Sequence, residues 1–177
     1  MEYILGLDPS LTATGLVILD RNQKIHAVKT IFPNCFEEER LIFIRDWVRS
    51  ATYNLSVKMA AIEGYSYASI GNLPKLGEIG GILRVLLHEM NIPFVTVAPQ
   101  TLKKWVTGKG QGQKNKMMLA AYKKWGVELD DDNQVDSYGL AMLAHSMYFG
   151  GKRKSYEKEV LEKIEKTFLE KYENKKT

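Results

Sequence analysis

Four acidic residues stand at the ends of segments whose hydrophobic patterns predict core elements. Asp8 closes the first apolar run of the chain, and Glu63 closes another run at residues 57–62. Asp132 and Asp136 open a later helical pattern, and their four-residue spacing places both carboxylates on one helix face. Four carboxylates in one pocket would repel one another unless divalent cations bind, and such hard oxygen ligands suit Mg²⁺ or Mn²⁺. Two such ions would activate water and stabilise the leaving oxygen of a phosphodiester.

Each acid also has an ordinary structural interpretation. Asp8 precedes a Pro-Ser pair and could form a turn, whereas Glu63 precedes a glycine and could be a solvated strand end. At least one of the aspartates at 130–132 is expected to cap the helix that follows. Asp136 is the hardest to explain in this way, because it lies one turn into the helix, where an apolar residue would be expected.

The elements that must position these acids follow from hydrophobic periodicity. Short apolar runs between turn residues predict strands, and apolar residues at three- and four-residue spacing predict helices. The predicted strands are 3–8, 15–19, 24–31, 57–62 and 93–97. The predicted helical segments are 37–54, 76–90, 101–105, 116–125, 132–149 and the tail. This order predicts an α/β fold, in which a mixed sheet of three antiparallel strands plus parallel strands is flanked by helices.

The length of 177 residues suggests one domain with an appendage. We place the domain at residues 1–151 and the appendage at 152–177, where apolar residues recur every four positions among Lys and Glu. This tail helix could pack on the domain, form a dimer seam or stay frayed. A single cysteine, Cys35, excludes an intramolecular disulfide and a cysteine-rich zinc site. Since membrane-length apolar runs and a signal-peptide pattern are both lacking, we expect a cytoplasmic protein.

Basic residues cluster in the second half of the chain. The net charge is +4, and residues 90–127 contain no Asp or Glu. Such a block suggests a polyanionic partner, with a solvated lysine-rich face as the alternative interpretation. The lysines of the block are Lys103, Lys104, Lys109, Lys114, Lys116, Lys123 and Lys124.

Taken in order, the motifs resemble those of a known family. They are Ile4-Leu5-Gly6-Leu7-Asp8-Pro9-Ser10 with Thr14-Gly15, then Ile62-Glu63, then Asp132 with Asp136-Ser137-Tyr138-Gly139-Leu140-Ala141. Together they resemble the RuvC-type Holliday-junction resolvases of the RNase H-like nuclease superfamily, over about residues 1–150. The motifs are closer to those of phage-encoded members than to those of the bacterial chromosomal enzyme. The resemblance implies an RNase H-like mixed five-stranded sheet, to which the C-terminal helix is an addition.

The resemblance also implies an activity. A homodimer would bind a four-way DNA junction and nick two strands symmetrically, in recombination or phage DNA processing. Asp8, Glu63, Asp132 and Asp136 would hold two Mg²⁺ ions per site, with Mn²⁺ as a substitute. Lys114 would stabilise the negative charge that develops on the phosphate, with Lys103 as a second candidate.

Further residues would bind the substrate or the second subunit. Tyr65 and Tyr67 could stack on unpaired bases, and surface packing is the alternative interpretation of both. The helix at 76–90 would form the dimer contact through its glycines, Gly77, Gly80 and Gly81. The lysines expected to contact DNA phosphates are Lys103, Lys104, Lys109, Lys114 and Lys116.

One position departs from the family pattern. Bacterial members place the paired late acid three residues before the last aspartate, and Asn133 stands there in this chain. The spacing of Asp132 and Asp136 is similar to that of fungal mitochondrial resolvases, so we assign Asp132 to the site, with Asp131 as the alternative.

Three rival functions are compatible with parts of the pattern. One is a broader nuclease that cuts flaps, Y-junctions and replication forks. Another is a catalytically silent junction-binding protein, against which the four acids argue. The third, an actin-like ATPase, requires a far longer chain.

Overall fold

The computed structural model describes residues 1–10, 12–65, 73–109 and 114–173. The strands are β1 (Glu2–Asp8), β2 (Thr14–Asp20), β3 (Ile25–Ile31), β4 (Ser56–Glu63) and β5 (Phe94–Val97). The helices are α1 (Glu37–Ala51), α2 (Leu73–Glu89), α3 (Pro99–Thr107), α4 (Lys114–Trp125), α5 (Asp132–Phe149) and α6 (Ser155–Glu173). In the described part of the chain, no helix is both long enough and apolar enough to cross a membrane.

The predicted elements are present, and the largest difference concerns α3. The sequence predicted a short helical turn at 101–105, but the helix runs for nine residues. Pro99 starts it, because proline fits the first turn of a helix, where its missing N–H is not needed. Gly108 ends it in the left-handed conformation at φ 77°, and its N–H donates to the carbonyl oxygen of Lys104.

The sheet has the order β3-β2-β1-β4-β5. β2 pairs antiparallel with both β1 and β3, whereas β4 pairs parallel with both β1 and β5. The predicted mixed sheet is therefore confirmed. β1 is the central strand and is buried on both faces from Tyr3 to Asp8.

Helices cover both faces of the sheet. Leu5 and Leu7 of β1 belong to the apolar cluster shared with α1 and α2. Ile4 belongs to the opposite cluster, which is shared with the helices α3 to α6. This alternation follows from the two-residue period of a strand, and it leaves Gly6 on the same face as Ile4.

The tail helix α6 packs on the domain. Its residues Val160, Leu161 and Ile164 are buried in the cluster on the α5 side of the sheet, and the helix contacts α3 and β5. Of the three arrangements left open by the sequence, packing on the domain is the one observed.

Two glycines allow the backbone of α5 to lie directly on the sheet. A Cβ atom added at Gly6 of β1 would stand 2.0 Å from the carbonyl oxygen of Ser137 and 2.6 Å from the backbone nitrogen of Ala141. A Cβ atom added at Gly15 of β2 would stand 2.4 Å from the carbonyl oxygen of Asn133. All three distances are far below van der Waals contact, so any side chain at these two positions would lift α5 away from the sheet.

We predict that Gly6→Ala lowers the free energy of unfolding by about 3 kcal/mol or more, because the clash is with backbone atoms that cannot rotate away. Glu128→Ala is the control, since Glu128 is exposed and lies outside the sheet and the helices. That variant should change the free energy of unfolding by no more than about 0.5 kcal/mol. Urea denaturation at one protein concentration measures both, and equal effects of the two variants would contradict the packing argument.

Candidate active site at the carboxyl end of the sheet

A cavity of about 440 Å³ opens where β1 and β4 end. All four acids predicted from the sequence line it. They come from three elements: Asp8 from β1, Glu63 from β4, and Asp132 with Asp136 from the first turn of α5. The structure therefore brings together residues that are up to 128 positions apart in the sequence.

The parallel pairing of β1 and β4 places the first two acids side by side. Leu7 is in register with Ile62, so Asp8 and Glu63 are the next residues on adjacent strands. Their side chains are hydrogen-bonded to each other. Asp8 is only 6% exposed.

The neighbouring aspartates at the start of α5 differ in their contacts and exposure. Asp131 is the N-cap, and its side chain accepts hydrogen bonds from the N–H of Gln134 at 2.8 Å and from the hydroxyl of Thr30 at 3.1 Å. Asp130 is exposed. Asp132 and Asp136 both line the cavity, one helical turn apart.

Burial, and after it the nearby carboxylate of Asp136, raise the pKa of Glu63 from its ordinary value of 4.5 to about 7. The hydrogen bond from Asp8 and the positive charge of Lys103 act in the opposite direction. Desolvation disfavours a charged carboxylate, and a second carboxylate adds repulsion. The cavity thus holds four acidic side chains, and Lys103 is the one basic side chain among its described lining residues.

The lysines predicted to bind DNA differ in their distance from the cavity and in their contacts. Lys103 of α3 lines the cavity with the acids. Lys104 forms an ion pair with Glu159 of α6 at 2.5 Å. Lys109 and Lys116 are exposed. Lys114 is the first residue of α4, and its side chain lies outside the described part of the structure, so its predicted catalytic role stays a prediction.

Tyr65 lines the cavity but packs against α2. Its hydroxyl donates to the carbonyl oxygen of Gly77 at 3.1 Å, and Arg84 donates to the same hydroxyl and lies over the ring at 5.2 Å. These contacts match the packing interpretation of Tyr65, and base stacking by this residue stays a prediction. Tyr67 lies outside the described residues.

This packing corrects the expectation for one glycine of α2. Gly80 was assigned to a contact with a second subunit, but a Cβ atom there would stand 2.9 Å from the hydroxyl oxygen of Tyr65 in the same chain. Gly77 and Gly81 differ, since added Cβ atoms would meet nothing within 4 Å at either position.

The donor set fits Mg²⁺ in an open site. Among the described residues, no three His, Cys, Asp or Glu side chains form a closed group that could hold a metal ion by themselves. Mg²⁺ in sites of phosphate chemistry is typically bound by one or two carboxylates, waters and substrate phosphate oxygens rather than by a cage of protein ligands. Four carboxylates around an open cavity, with one of them raised in pKa, match that requirement.

Asn133 also lines the cavity, and the sequence analysis treated it only as a departure from the family pattern. Its carbonyl oxygen accepts a hydrogen bond from the hydroxyl of Ser137 at 2.6 Å. The sequence could have indicated Asn133 as a cavity residue, because it lies between the two site aspartates and three or four residues of a helix's first turn can face one pocket.

A mixed five-stranded sheet with acids at the ends of two adjacent central strands, and on a helix that crosses them, defines an RNase H-like nuclease. The family model described as "Crossover junction endodeoxyribonuclease RuvC" matches residues 4–141. This chain belongs to the RuvC family of crossover junction endodeoxyribonucleases.

Individual relatives agree with this assignment. RuvC of Rickettsia prowazekii is 30% identical over 147 residues, covering 78% of this chain and 93% of the relative. The structure of Thermus thermophilus RuvC in complex with a Holliday junction substrate has a TM-score of 0.69 at 19% identity, covering 79% of this chain and 90% of the other. The yeast mitochondrial Holliday junction resolvase has a TM-score of 0.53 at 14% identity and covers 93% of this chain. The expected likeness to phage-encoded members stays a prediction.

We predict that Glu63→Gln stabilises the metal-free protein in a pH-dependent manner. As the pH rises from about 4.5 to about 7, the unfolded chain releases the Glu63 proton while the folded protein keeps it, so the wild-type free energy of unfolding falls over this range. The variant avoids this loss and should be more stable by roughly 1–3 kcal/mol at pH 8.

At pH 4 the same variant should show no gain, because Glu63 is then neutral in both states of the wild type. Urea denaturation in the presence of a chelator measures the effect. Glu128→Gln, a change at an exposed position outside the cavity, is the control. An equal gain at pH 4 and pH 8 would contradict the assignment to Glu63.

Proposed function

We propose that this protein is a divalent-metal-dependent endonuclease that nicks four-way DNA junctions. The observation that carries the proposal is the cavity in which Asp8, Glu63, Asp132 and Asp136 meet beside Lys103. Membership of the RuvC family supports junction DNA as the substrate. The substrate named for the Thermus thermophilus relative is a Holliday junction, which supports the same choice.

Each residue of the cavity has a role that follows from its position. The four carboxylates would hold two Mg²⁺ ions, which supply Lewis acidity for phosphodiester hydrolysis when bound. Asp8 and Glu63 approach from the sheet, and Asp132 and Asp136 approach from α5, so the acids face the cavity from two sides. Lys103 contributes a positive charge close to Glu63, where it can stabilise negative charge on a reacting phosphate.

The lysines outside the cavity would bind DNA without reading its sequence. Lys109 and Lys116 are exposed near the two ends of the segment that joins α3 to α4. Lysine contacts to phosphates release counterions, so junction affinity should fall steeply with salt concentration. Lys104 contributes less in this proposal, because Glu159 already neutralises its charge.

We also propose that the enzyme acts as a homodimer through the exposed face of α2. Gly77, Gly81 and Val85 follow one another at four-residue spacing, and Val85 is 56% exposed. A glycine inside an exposed helix costs about 1 kcal/mol relative to alanine. Close approach by a second copy of the chain would compensate for that cost.

Two alternatives remain distinct in their predicted behaviour. A broader branched-DNA nuclease would cut flaps and Y-junctions as fast as four-way junctions. A silent junction-binding protein would bind without cutting, but four acids around one cavity are costly for a protein that does not use them.

We predict that the wild type nicks a synthetic four-way junction in Mg²⁺ at least about ten times faster than a three-way junction, a flap or a duplex. Asp8→Asn should reduce cleavage by about 10³-fold or more, because it removes a carboxylate from the charge-stabilising site. Junction binding without metal should be retained. A gel assay of nicked product, together with a mobility shift, measures both quantities.

Asp132→Asn and Asp131→Asn form a matched pair for this experiment. Asp132 lines the cavity, so its variant should lose activity as Asp8→Asn does. Asp131 caps α5, and asparagine is an equally good cap, so its variant should cleave at the wild-type rate. Loss of activity in the Asp131 variant alone would overturn the site assignment, and equal rates on all four substrates would favour the broader nuclease.

We predict that the wild type sediments with twice the 20.2 kDa mass of one chain and that Gly81→Arg sediments as a monomer. The arginine would fill the space that the second helix must enter. Glu128→Arg, which adds the same side chain at an exposed position outside α2, is the control and should leave the dimer intact. A monomeric wild type at micromolar concentration would exclude the proposed contact.

A further inference from the structure

Helix α6 lies beyond residues 4–141, the part of the chain that the family model matches. It nevertheless reaches elements that carry site residues, since it contacts α3, α5 and β5. A Cβ atom added at Gly108, at the end of α3, would stand 3.5 Å from Cε1 of Tyr156 near the start of α6, so the two helices are close there.

A single ammonium group joins three helices. The Nζ atom of Lys124, on α4, lies 2.6 Å from Oε1 of Glu157 on α6. The same Nζ donates to the carbonyl oxygen of Trp105 on α3 at 2.6 Å. The two charged side chains are only 13% and 9% exposed, respectively. Truncating one member of such a pair leaves the other charge buried and uncompensated. Loss of either side chain is therefore expected to destabilise the protein.

Aromatic rings surround this ammonium group. Lys124 Nζ lies 4.5 Å from the ring centroid of Trp105, 4.6 Å from that of Trp125 and 5.4 Å from that of Tyr156. Rings at these distances attract a cation through their quadrupoles, and the attraction strengthens when water is excluded. The rings also come from α3, α4 and α6, so they act on the same three helices as the ion pair.

Helix α3 is thereby held from two sides. On one side it seats on α5 at Gly139, where an added Cβ atom would stand 2.8 Å from Cγ2 of Val106 and 3.1 Å from Cδ1 of Leu102. On the other side, the Trp105 carbonyl is held by Lys124. Lys103, which lines the cavity, follows Leu102 directly on α3 and lies two residues before Trp105. The outer ion pair of Lys104 with Glu159 adds a weaker, more exposed link.

We propose that Lys124 and Glu157 are a positioning pair that fixes α3 between α5 and α6 and so places Lys103 against the carboxylates of the cavity. Its effect on cleavage rests on the proposed nuclease function, whereas its effect on α3 does not. Neither residue touches the reacting atoms, and both act through the backbone of α3. The C-terminal helix is then part of the catalytic framework of this chain.

Three variants test the pair. Lys124→Met keeps the length of the side chain but removes the charge that holds α3. The resulting small displacement of Lys103 should slow cleavage at saturating junction concentration by about tenfold. Lys124→Arg should cleave within about threefold of wild type, because a guanidinium can donate to both acceptors. Lys124→Met combined with Glu157→Gln leaves no unpaired buried charge, so it should recover stability to urea but not the cleavage rate.

Hydrogen exchange gives a measurement that does not depend on activity. Amides of α3 should exchange faster in Lys124→Met and in the double variant, while those of β1 and β4 stay at the wild-type rate. Glu165→Gln is the matched control on α6, because the ion-pair partner of Glu165 is Arg153, at 4.0 Å in the segment before the helix. It should change neither exchange nor cleavage.

The outcomes separate the hypotheses. Unchanged α3 exchange in the double variant, or wild-type cleavage by it, would overturn the positioning role. Cleavage losses that follow urea stability across all variants would reduce the pair to a stabilising contact and also overturn it. If the wild type cuts no junction while α3 exchange responds as expected, the proposed function fails and the placement of α3 by the pair stands.

Discussion

The close approach of α5 to the sheet is the constraint on which the rest of the structure depends. Backbone atoms of Ser137 and Ala141 occupy the space that a side chain at Gly6 would need, and Asn133 does the same at Gly15. Because α5 lies this low, its first turn reaches the level at which β1 ends, and two of its aspartates face the cavity beside Asp8. A helix held at the usual distance by side chains would leave the late acids too far from the early ones to share a site.

That arrangement has an electrostatic cost, which the protein carries in its metal-free state. Burial and the Asp136 carboxylate raise the pKa of Glu63, and part of the charge is relieved by its hydrogen bond with Asp8 and by Lys103. In the proposed function, bound Mg²⁺ would offset this repulsion and stabilise the folded protein. The same repulsion serves the proposed function, because carboxylates that repel one another would bind divalent cations, to which phosphate oxygens of the DNA could also bind. The acid cluster that the proposed function requires therefore lowers the stability of the metal-free fold.

The cationic side of the cavity is built differently from the acidic side. The acids depend on strand register and on glycine contacts within the region that the family model matches. Lys103 depends on α3, which is held by Gly139 of α5 and by the buried Lys124–Glu157 contact with α6. A helix outside the matched region thus contributes to the same site. Gly80 shows a similar dependence, because its lack of a side chain serves the packing of Tyr65 within the chain.

Much of the fold was predictable from local pattern, since strand and helix periods are properties of neighbouring residues. The five strands, the parallel crossover and the four acids follow from the order of apolar runs and from where each run ends. The sequence by itself did not show whether Asp131 or Asp132 caps α5, because both stand where a cap is expected. The tertiary structure makes Asp131 the cap, with a hydrogen bond from Thr30, and places Asp132 in the lining of the cavity. It also decided that Lys103 lines the cavity and that α6 packs on α3, because those contacts join residues far apart in the chain and leave no periodic signal in either segment.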